Sequence, residues 1–283
     1  MIPVLLYSHE AEPITNIIIN SDFDQTLGLI KISLDDLLNY SSIFDEIDGD
    51  VVHLNWEFKN GICIDNSNKY FLINRVISIP ENLFDNFCEE DKRYAQCEFS
   101  AYITFATEVF ANSFSKPGPY GLFGNRFSLP RQWDIVKKSH INVNIPQYFI
   151  GDFNYCKLKK EDLILSSPFN YYFWKKNHEG EFDKGSFFIE KPYGFPVVSY
   201  VIGDFTEVTS YDSSFIIHEN ITSIINKISL EISILFKFKI LEILFFVDGT
   251  NITFGMVTNI PYASVKKEHF KDKVKQYLKS IIF

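Results

Sequence analysis

Between Ser115 and Gly124 the chain places three glycines and two prolines in ten residues, Ser115-Lys-Pro-Gly-Pro-Tyr-Gly-Leu-Phe-Gly124. Neither a helix interior nor a central strand passes through such a run. Proline removes a backbone donor and fixes φ, and glycine gives up the most conformational freedom on ordering. The run therefore divides the 283 residues into two stretches that must fold around separate patterns. Ahead of it, strand-length apolar runs alternate with helical periodicity. Val4–Tyr7 reads as a strand, followed by Ser8 as N-cap of a helix carrying Ile14, Ile17 and Ile18. Leu27–Leu38 repeats that β–α order, Val51–Trp56 and Tyr70–Val76 read as further strands, and a helix is expected from Glu90 to Phe110. Alternation of this kind implies an open, partly parallel sheet.

Behind the run the rhythm changes. A helix with Pro130 in its first turn extends to Ser139. Strands are then expected at Tyr148–Ile150, Tyr171–Lys175, Ser186–Glu190 and Val197–Ile202. Gly203-Asp204 and Asp248-Gly249 are turn signals of two β-hairpins, the second joining Ile240–Val247 to Ile252–Val257. Helices complete the pattern at Ile221–Phe236 and Lys266–Ile282. The fold class expected is thus mixed α/β (α+β), with a βα domain first and an antiparallel sheet last.

Composition narrows the function. At 46% hydrophobic and 22% charged residues the chain can bury a sizeable core. Its 27 basic and 36 acidic residues leave a net charge of −9, and only four of the basic residues are arginine. Such a balance is poorly suited to a phosphate backbone, so nucleic acid is not an expected partner. The most apolar stretch, Ile232–Val247, is interrupted by Lys237, Lys239 and Glu242, which speaks against a membrane span. No basic-then-apolar leader opens the chain, and a cytoplasmic setting is expected. Cys63, Cys88, Cys97 and Cys156 form no C-x-x-C pair, and the six histidines show no metal spacing. The glycines at 118, 121 and 124 do not form a Walker loop; the run reads as a connection that leads into Asn125 and Arg126, which would face a cleft.

Several spaced residues carry a resemblance. Arg131 opens a helix 15 residues before Pro146. A strand Phe173-Trp-Lys175-Lys176 places a lysine 29 residues after that proline. Phe187-Phe-Ile-Glu190-Lys191-Pro192 follows, then Gly194-Phe-Pro-Val-Val-Ser-Tyr-Val-Ile-Gly203-Asp204. Last come Phe238-Lys-Ile-Leu-Glu242, Val247-Asp-Gly249 and Phe254-Gly-Met-Val-Thr-Asn-Ile-Pro261. In order and spacing these resemble the ATP-grasp superfamily, in particular its RimK-like and peptide-modifying ligases, over nearly the whole length.

The resemblance implies a pre-grasp α/β domain at 1–124, a nucleotide-lid subdomain at 125–200 and a C-terminal subdomain at 201–283. It implies ATP as substrate, with Arg131 and Lys175 on the phosphates, Glu190 and Lys191 on the adenine hinge, and Mg2+ held by Glu242 and Asn259. Arg75 and Arg126 would face the substrate, a small-molecule or peptide carboxylate. The reaction implied is ligation of a carboxylate to an amine through an acyl-phosphate, on a peptide or carrier-bound substrate. Two cations from different subdomains suit dense phosphate charge, and hard oxygen ligands suit magnesium.

The departures are equally specific. The acid and amide of the family's metal strand fall on Met256 and Thr258, Asn259 is one residue out of register, and the arginine expected near Ser199 is absent. A thioether is a poor magnesium ligand. A second reading follows, a pseudoenzyme that binds a nucleotide or a protein or peptide partner without turnover. A third is an unrelated α/β structural or immunity-type protein. Single residues also have plainer readings: Lys175 and Lys176 as a solvated strand end, Arg131 as a surface helix residue, Arg75 as half of a structural ion pair, and Glu242 as a buried ion-pair partner or as a strand-edge carboxylate facing water.

Overall fold

The computed structural model describes residues 1–21, 28–152, 163–167, 170–176, 186–211 and 215–283, and of residues 163, 165, 170–176 and 186 the backbone alone. Contacts divide the chain into two compact units, Met1–Arg126 with Glu268–Phe283, and Phe127–Lys267. The division falls just after the Gly/Pro run. The final helix, which the sequence placed with 201–283, packs in the N-terminal unit.

The first unit begins with β1 (Ile2–Tyr7), α1 (Pro13–Ile19), β2 (Ile30–Ser33) and α2 (Leu34–Asn39). Short strands follow: β3 (Ser41–Ile43), β4 (Glu46–Asp48), β5 (Val51–His53), β6 (Asn55–Phe58) and β7 (Cys63–Asp65). Then come β8 (Tyr70–Arg75), α3 (Glu89–Val109) and β9 (Ser113–Phe114). A parallel sheet runs β2-β1-β8-β9, with Val4 opposite both Ile30 and Leu72. β1 and β8 are buried along nearly their whole length, as parallel strands covered on both faces are. The helix α3 lays Phe99, Ile103 and Ala106 into the core formed by Val4, Leu72 and Trp56.

Two local expectations change. Glu12, not Ser8, caps α1, accepting the Ile14 and Thr15 N–H groups, while Ser8 Oγ accepts the N–H of Ile77. The run Val51–Trp56 is two strands rather than one. The Asn66 side chain accepts the Leu54 N–H and donates to the Val52 carbonyl, taking two bonds a continuous ladder would have used. β5 therefore pairs with β4, and β6 with β3 and β7.

The second unit holds α4 (Leu129–Lys138), β10 (Tyr148–Gly151), β11 (Leu163–Ser167), β12 (Asn170–Lys176) and β13 (Ser186–Glu190). These four strands form an antiparallel sheet in the order β10-β13-β11-β12. β14 (Phe195–Ile202), β15 (Phe205–Ser210), α5 (Glu219–Phe236), β16 (Ile240–Asp248) and β17 (Asn251–Thr258) follow. Their sheet is also antiparallel, ordered β15-β14-β16-β17. The chain closes with α6 (Glu268–Ile282), packed in the first unit.

Both hairpins form. The second turns on Gly249-Thr250, one residue later than the sequence suggested, because Asp248 still pairs with Asn251. The helix α5 covers one face of the sheet, where Ser229 Oγ donates to Ser199 Oγ at 2.7 Å. The position where the resemblance calls for an arginine therefore points into a helix–sheet core. The antiparallel C-terminal sheet and the leading βα unit agree with the fold class expected from sequence.

Candidate functional site

The face of the C-terminal sheet opposite α5 carries the polar residues. Side chains alternate along a strand, so directly paired residues share a face. Pairing places Glu207 on β15, Tyr200 on β14, Glu242 on β16 and Thr258 on β17 in one row across four strands. A β-bulge between Leu244 and Phe245, opposite Gly255, sets this register. It puts Met256 across from Leu244 and Thr258 across from Glu242. Met256 and Thr258, the two positions of the family's metal strand, thus lie on the face of Glu242. Asn259 lies just beyond β17.

Glu242 is 1% exposed, and both its oxygens are engaged by backbone. Oε1 accepts the N–H groups of Tyr262 and Ala263, each at 3.2 Å. Oε2 accepts those of Ala263 at 2.9 Å and Ser264 at 2.6 Å. These amides open the 3-10 turn Ser264–Lys266, and a carboxylate there satisfies donors that have no partner within the turn. Beside it, burial and then the Glu207 carboxylate push the Tyr200 phenol above its ordinary range. The Thr258 hydroxyl is turned to its own loop, accepting the N–H of Ile260 at 3.1 Å.

Magnesium takes hard oxygens in near-octahedral array. Glu242 spends its oxygens on three amides, Met256 offers a thioether that is 3% exposed, and Thr258 serves its loop. Among the described residues no group of three His, Cys, Asp or Glu side chains could hold a metal ion. The residues present do not fit magnesium.

The remaining expected residues fall in several places. Arg131 lies in the first turn of α4, exposed, with Nη1 2.9 Å from Asp134 Oδ2. Lys138 reaches the same oxygen at 2.9 Å, and its hydrogen bond is the main reason the Asp134 carboxyl sits below its usual range. Exposed pairs of this kind hold weakly, so Arg131 is easily released to another anion. Lys175 lies on β12 opposite Leu165; its side chain is outside the described residues. Glu190 ends β13, and its N–H donates to the Gln147 carbonyl at 2.8 Å. A hinge donor for adenine would thus come from Lys191 onward, where the chain is exposed.

α4 is fastened to the same sheet. Trp133 Nε1 donates to the Gly255 carbonyl at 2.7 Å, and Gln132 Oε1 accepts the Val257 N–H at 2.8 Å. The bulge at Gly255 thus both sets the register of the candidate site and anchors the helix that carries Arg131.

In the N-terminal unit Arg75 ends β8, 1% exposed. Its Nε donates to Glu12 Oε2 at 3.0 Å, its Nη2 contacts Glu12 Oε1, and its guanidinium lies 4.7 Å from the centre of the Phe123 ring. Of the two sequence readings of Arg75, the structure shows the ion pair. Neighbouring Asn74 donates to the carbonyls of Ser115 and Leu122 and so pins the Gly/Pro run to the end of the sheet. Arg126 follows that run, exposed. Glu12 was missed by sequence reasoning; its one local signal is an acid immediately before the proline that opens a helix.

No protein-family model and no curated protein matches the chain by sequence. Solved structures match it by fold. The macrocyclase MdnC of Microcystis aeruginosa MRC, bound with precursor peptide MdnA, aligns at a TM-score of 0.70 and 10% identity, covering 99% of this chain and 100% of its own. A RiPP-associated ATP-grasp ligase of Chryseobacterium gregarium, in complex with ADP and a leader and core peptide, aligns at 0.68 and 12% identity, covering 99% and 97%. The ATP-grasp ligase PsnB, complexed with minimal precursor, Mg and ADP, aligns at 0.68 and 9% identity, covering 99% and 98%. Identities this low speak to fold alone. The chain has the fold of the ATP-grasp ligases over nearly its whole length.

Proposed function

We propose that this chain is an ATP-dependent ligase that joins a carboxylate to an amine on a peptide substrate and acts in the cytoplasm. The observation that supports the reading is the whole-length fold it shares with three peptide-handling proteins, two of them in complex with ADP. Phosphoryl transfer from ATP to the carboxylate would give an acyl-phosphate and ADP, and attack by the amine would then expel phosphate. Arg131 and Lys175 would grip the phosphates as paired cations, and the backbone from Lys191 onward would meet the adenine edge. Arg126 would meet the substrate carboxylate.

Thermal unfolding with millimolar ATP, on the parent and on Lys175→Ala, tests the reading. Ligand at about 100 times its Kd adds about 2.7 kcal/mol of stability. The expected result is a raised midpoint in the parent, lost in the variant, together with ADP release on addition of an acceptor peptide. No shift in the parent overturns the reading.

One observation favours a second reading, a nucleotide- or peptide-binding subunit without turnover. Glu242 is occupied by the 262–264 amides, and Met256 stands where a carboxylate would serve the metal. Binding of ATP with no ADP release under any acceptor supports it over ligation.

A further inference from the structure

A cavity of about 460 Å³ lies on the polar face of the C-terminal sheet. Its walls include Val198 and Thr209, a cross-strand pair of β14 and β15, together with Ser210, Tyr262, Lys266 and Lys267. Val198 is two residues from Tyr200, so the cavity opens on the same face as the row that contains Glu242. A volume of this size suits a chain of phosphates or a short acidic peptide segment.

The charge around the cavity has an unusual source. Glu242, the buried carboxylate of this face, accepts three backbone amides and is not among the residues that line the cavity. Holding those amides fixes the turn Ser264–Lys266, and the turn delivers Lys266 and Lys267 to the cavity wall. Among the described residues neither ammonium makes an ion pair with a carboxylate; Glu207 acts on Lys267 from a distance. Lys267 is half-buried, and burial, which disfavours its charged form, lowers its pKa. The remaining polar side chains of the lining are hydroxyls, from Thr209, Ser210, Tyr211 and Tyr262. Ammonium groups donate to oxyanions and have no lone pair for a cation, and the hydroxyls beside them can donate to the same oxyanion.

We propose that this cavity is an anion site in which Lys266 and Lys267 supply the positive charge, so that a phosphate or carboxylate group binds there without a divalent metal. The proposal rests on the reading of this sheet face as the ligand-binding face. Phosphate of a nucleotide and carboxylate of a peptide share the chemistry, and the choice of probe separates them.

The test is calorimetric titration in EDTA with two probes, inorganic tripolyphosphate and an N-acetylated, amidated triglutamate. Both are run on the parent and on the Lys266→Gln, Lys267→Gln double variant, whose fold is checked by circular dichroism. Saturable binding of one probe in EDTA, weakened at least tenfold in the variant, is expected. Preference for tripolyphosphate names the nucleotide as the source, and preference for triglutamate names the peptide. Binding of neither probe, binding that needs added magnesium, or equal binding in the variant overturns the proposal. A parallel ATP titration of Lys175→Ala keeps the two readings apart. If ATP affinity depends on Lys175 and not on the two lysines, the anion site falls and the ligase reading stands. If tripolyphosphate or triglutamate binding depends on Lys266 and Lys267 while ATP itself does not bind, the reverse holds.

Discussion

Glu242 Oε2 accepts the backbone N–H of Ser264 at 2.6 Å, across 22 residues of chain. With the amides of Tyr262 and Ala263 it makes Glu242 the anchor of a turn, in a place where the resemblance implied a metal ligand. The two roles predict opposite responses to substitution. A carboxylate held ready for an absent cation is a burden, and removing it stabilises or changes little. A carboxylate closed on three amides is a support.

Glu242→Ala should therefore destabilise the protein by about 3 kcal/mol, since each buried donor left without a partner costs roughly 1–3 kcal/mol. Urea unfolding measures it. A variant as stable as the parent would return Glu242 to the list of available ligands.

The ion pair of Glu12 and Arg75 predicts a pH signature. Burial works to raise the Glu12 carboxyl, and the guanidinium of Arg75, with the N–H and hydroxyl of Thr15, outweighs it, so the pKa lies below its ordinary 4.5. A carboxyl depressed in the folded state lends stability above its unfolded value, and that contribution is lost as pH falls through the folded value. In Arg75→Met the buried Glu12 loses its partner and its pKa rises. The variant then pays most at neutral pH, by about 3–5 kcal/mol, and least in acid. Unfolding midpoints of both proteins across the acid range should converge as pH falls; a constant gap would contradict the pairing.

Gly194 precedes β14 with φ +100°, and a Cβ there would sit 2.3 Å from the Val247 carbonyl oxygen. Neither the backbone angle nor the neighbour can relax cheaply, since both belong to the main chain. Gly194→Ala should cost roughly 3 kcal/mol, from strain and displacement of the β14–β16 pairing. Chemical denaturation compared with the parent reads the loss, and a neutral variant would mean that this approach is looser than the geometry shows.

Trp133→Phe keeps an aromatic ring near Phe187 and Tyr148 but abandons the Gly255 carbonyl. A loss of about 1–2 kcal/mol is expected, from one unsatisfied buried acceptor and a smaller ring. Hydrogen exchange should show the Val257 amide, held by the adjacent Gln132, opening faster. Unchanged exchange there would separate α4 from control of the sheet register.

Much of this architecture is local in origin, and sequence alone determined it. The helices at 129–138 and 219–236 follow from apolar spacing, and β8 from a continuous apolar run. Both hairpins follow from a glycine able to take the positive φ that joins twisted strands. The Gly/Pro run marks the boundary between units because the chain cannot form regular structure through it. The order of these elements was enough to indicate the ATP-grasp fold.

What tertiary structure decided lies at long range. The bond between Arg75 and Glu12 spans 63 residues, and the clamp on Glu242 spans 20 to 22. Neither pairing leaves a periodic trace, because a carboxylate reads the same in sequence whether it faces a cation, an amide or water. The bulge opposite Gly255 is of the same kind. One extra residue in β17 exchanges the faces of everything beyond it, and only the packing of α4 and β16 against that strand determines where it falls. The elements were legible because propensity and periodicity act over a few residues. The partners of the charged groups were not, because burial, which makes those partners obligatory, exists only once the chain has folded.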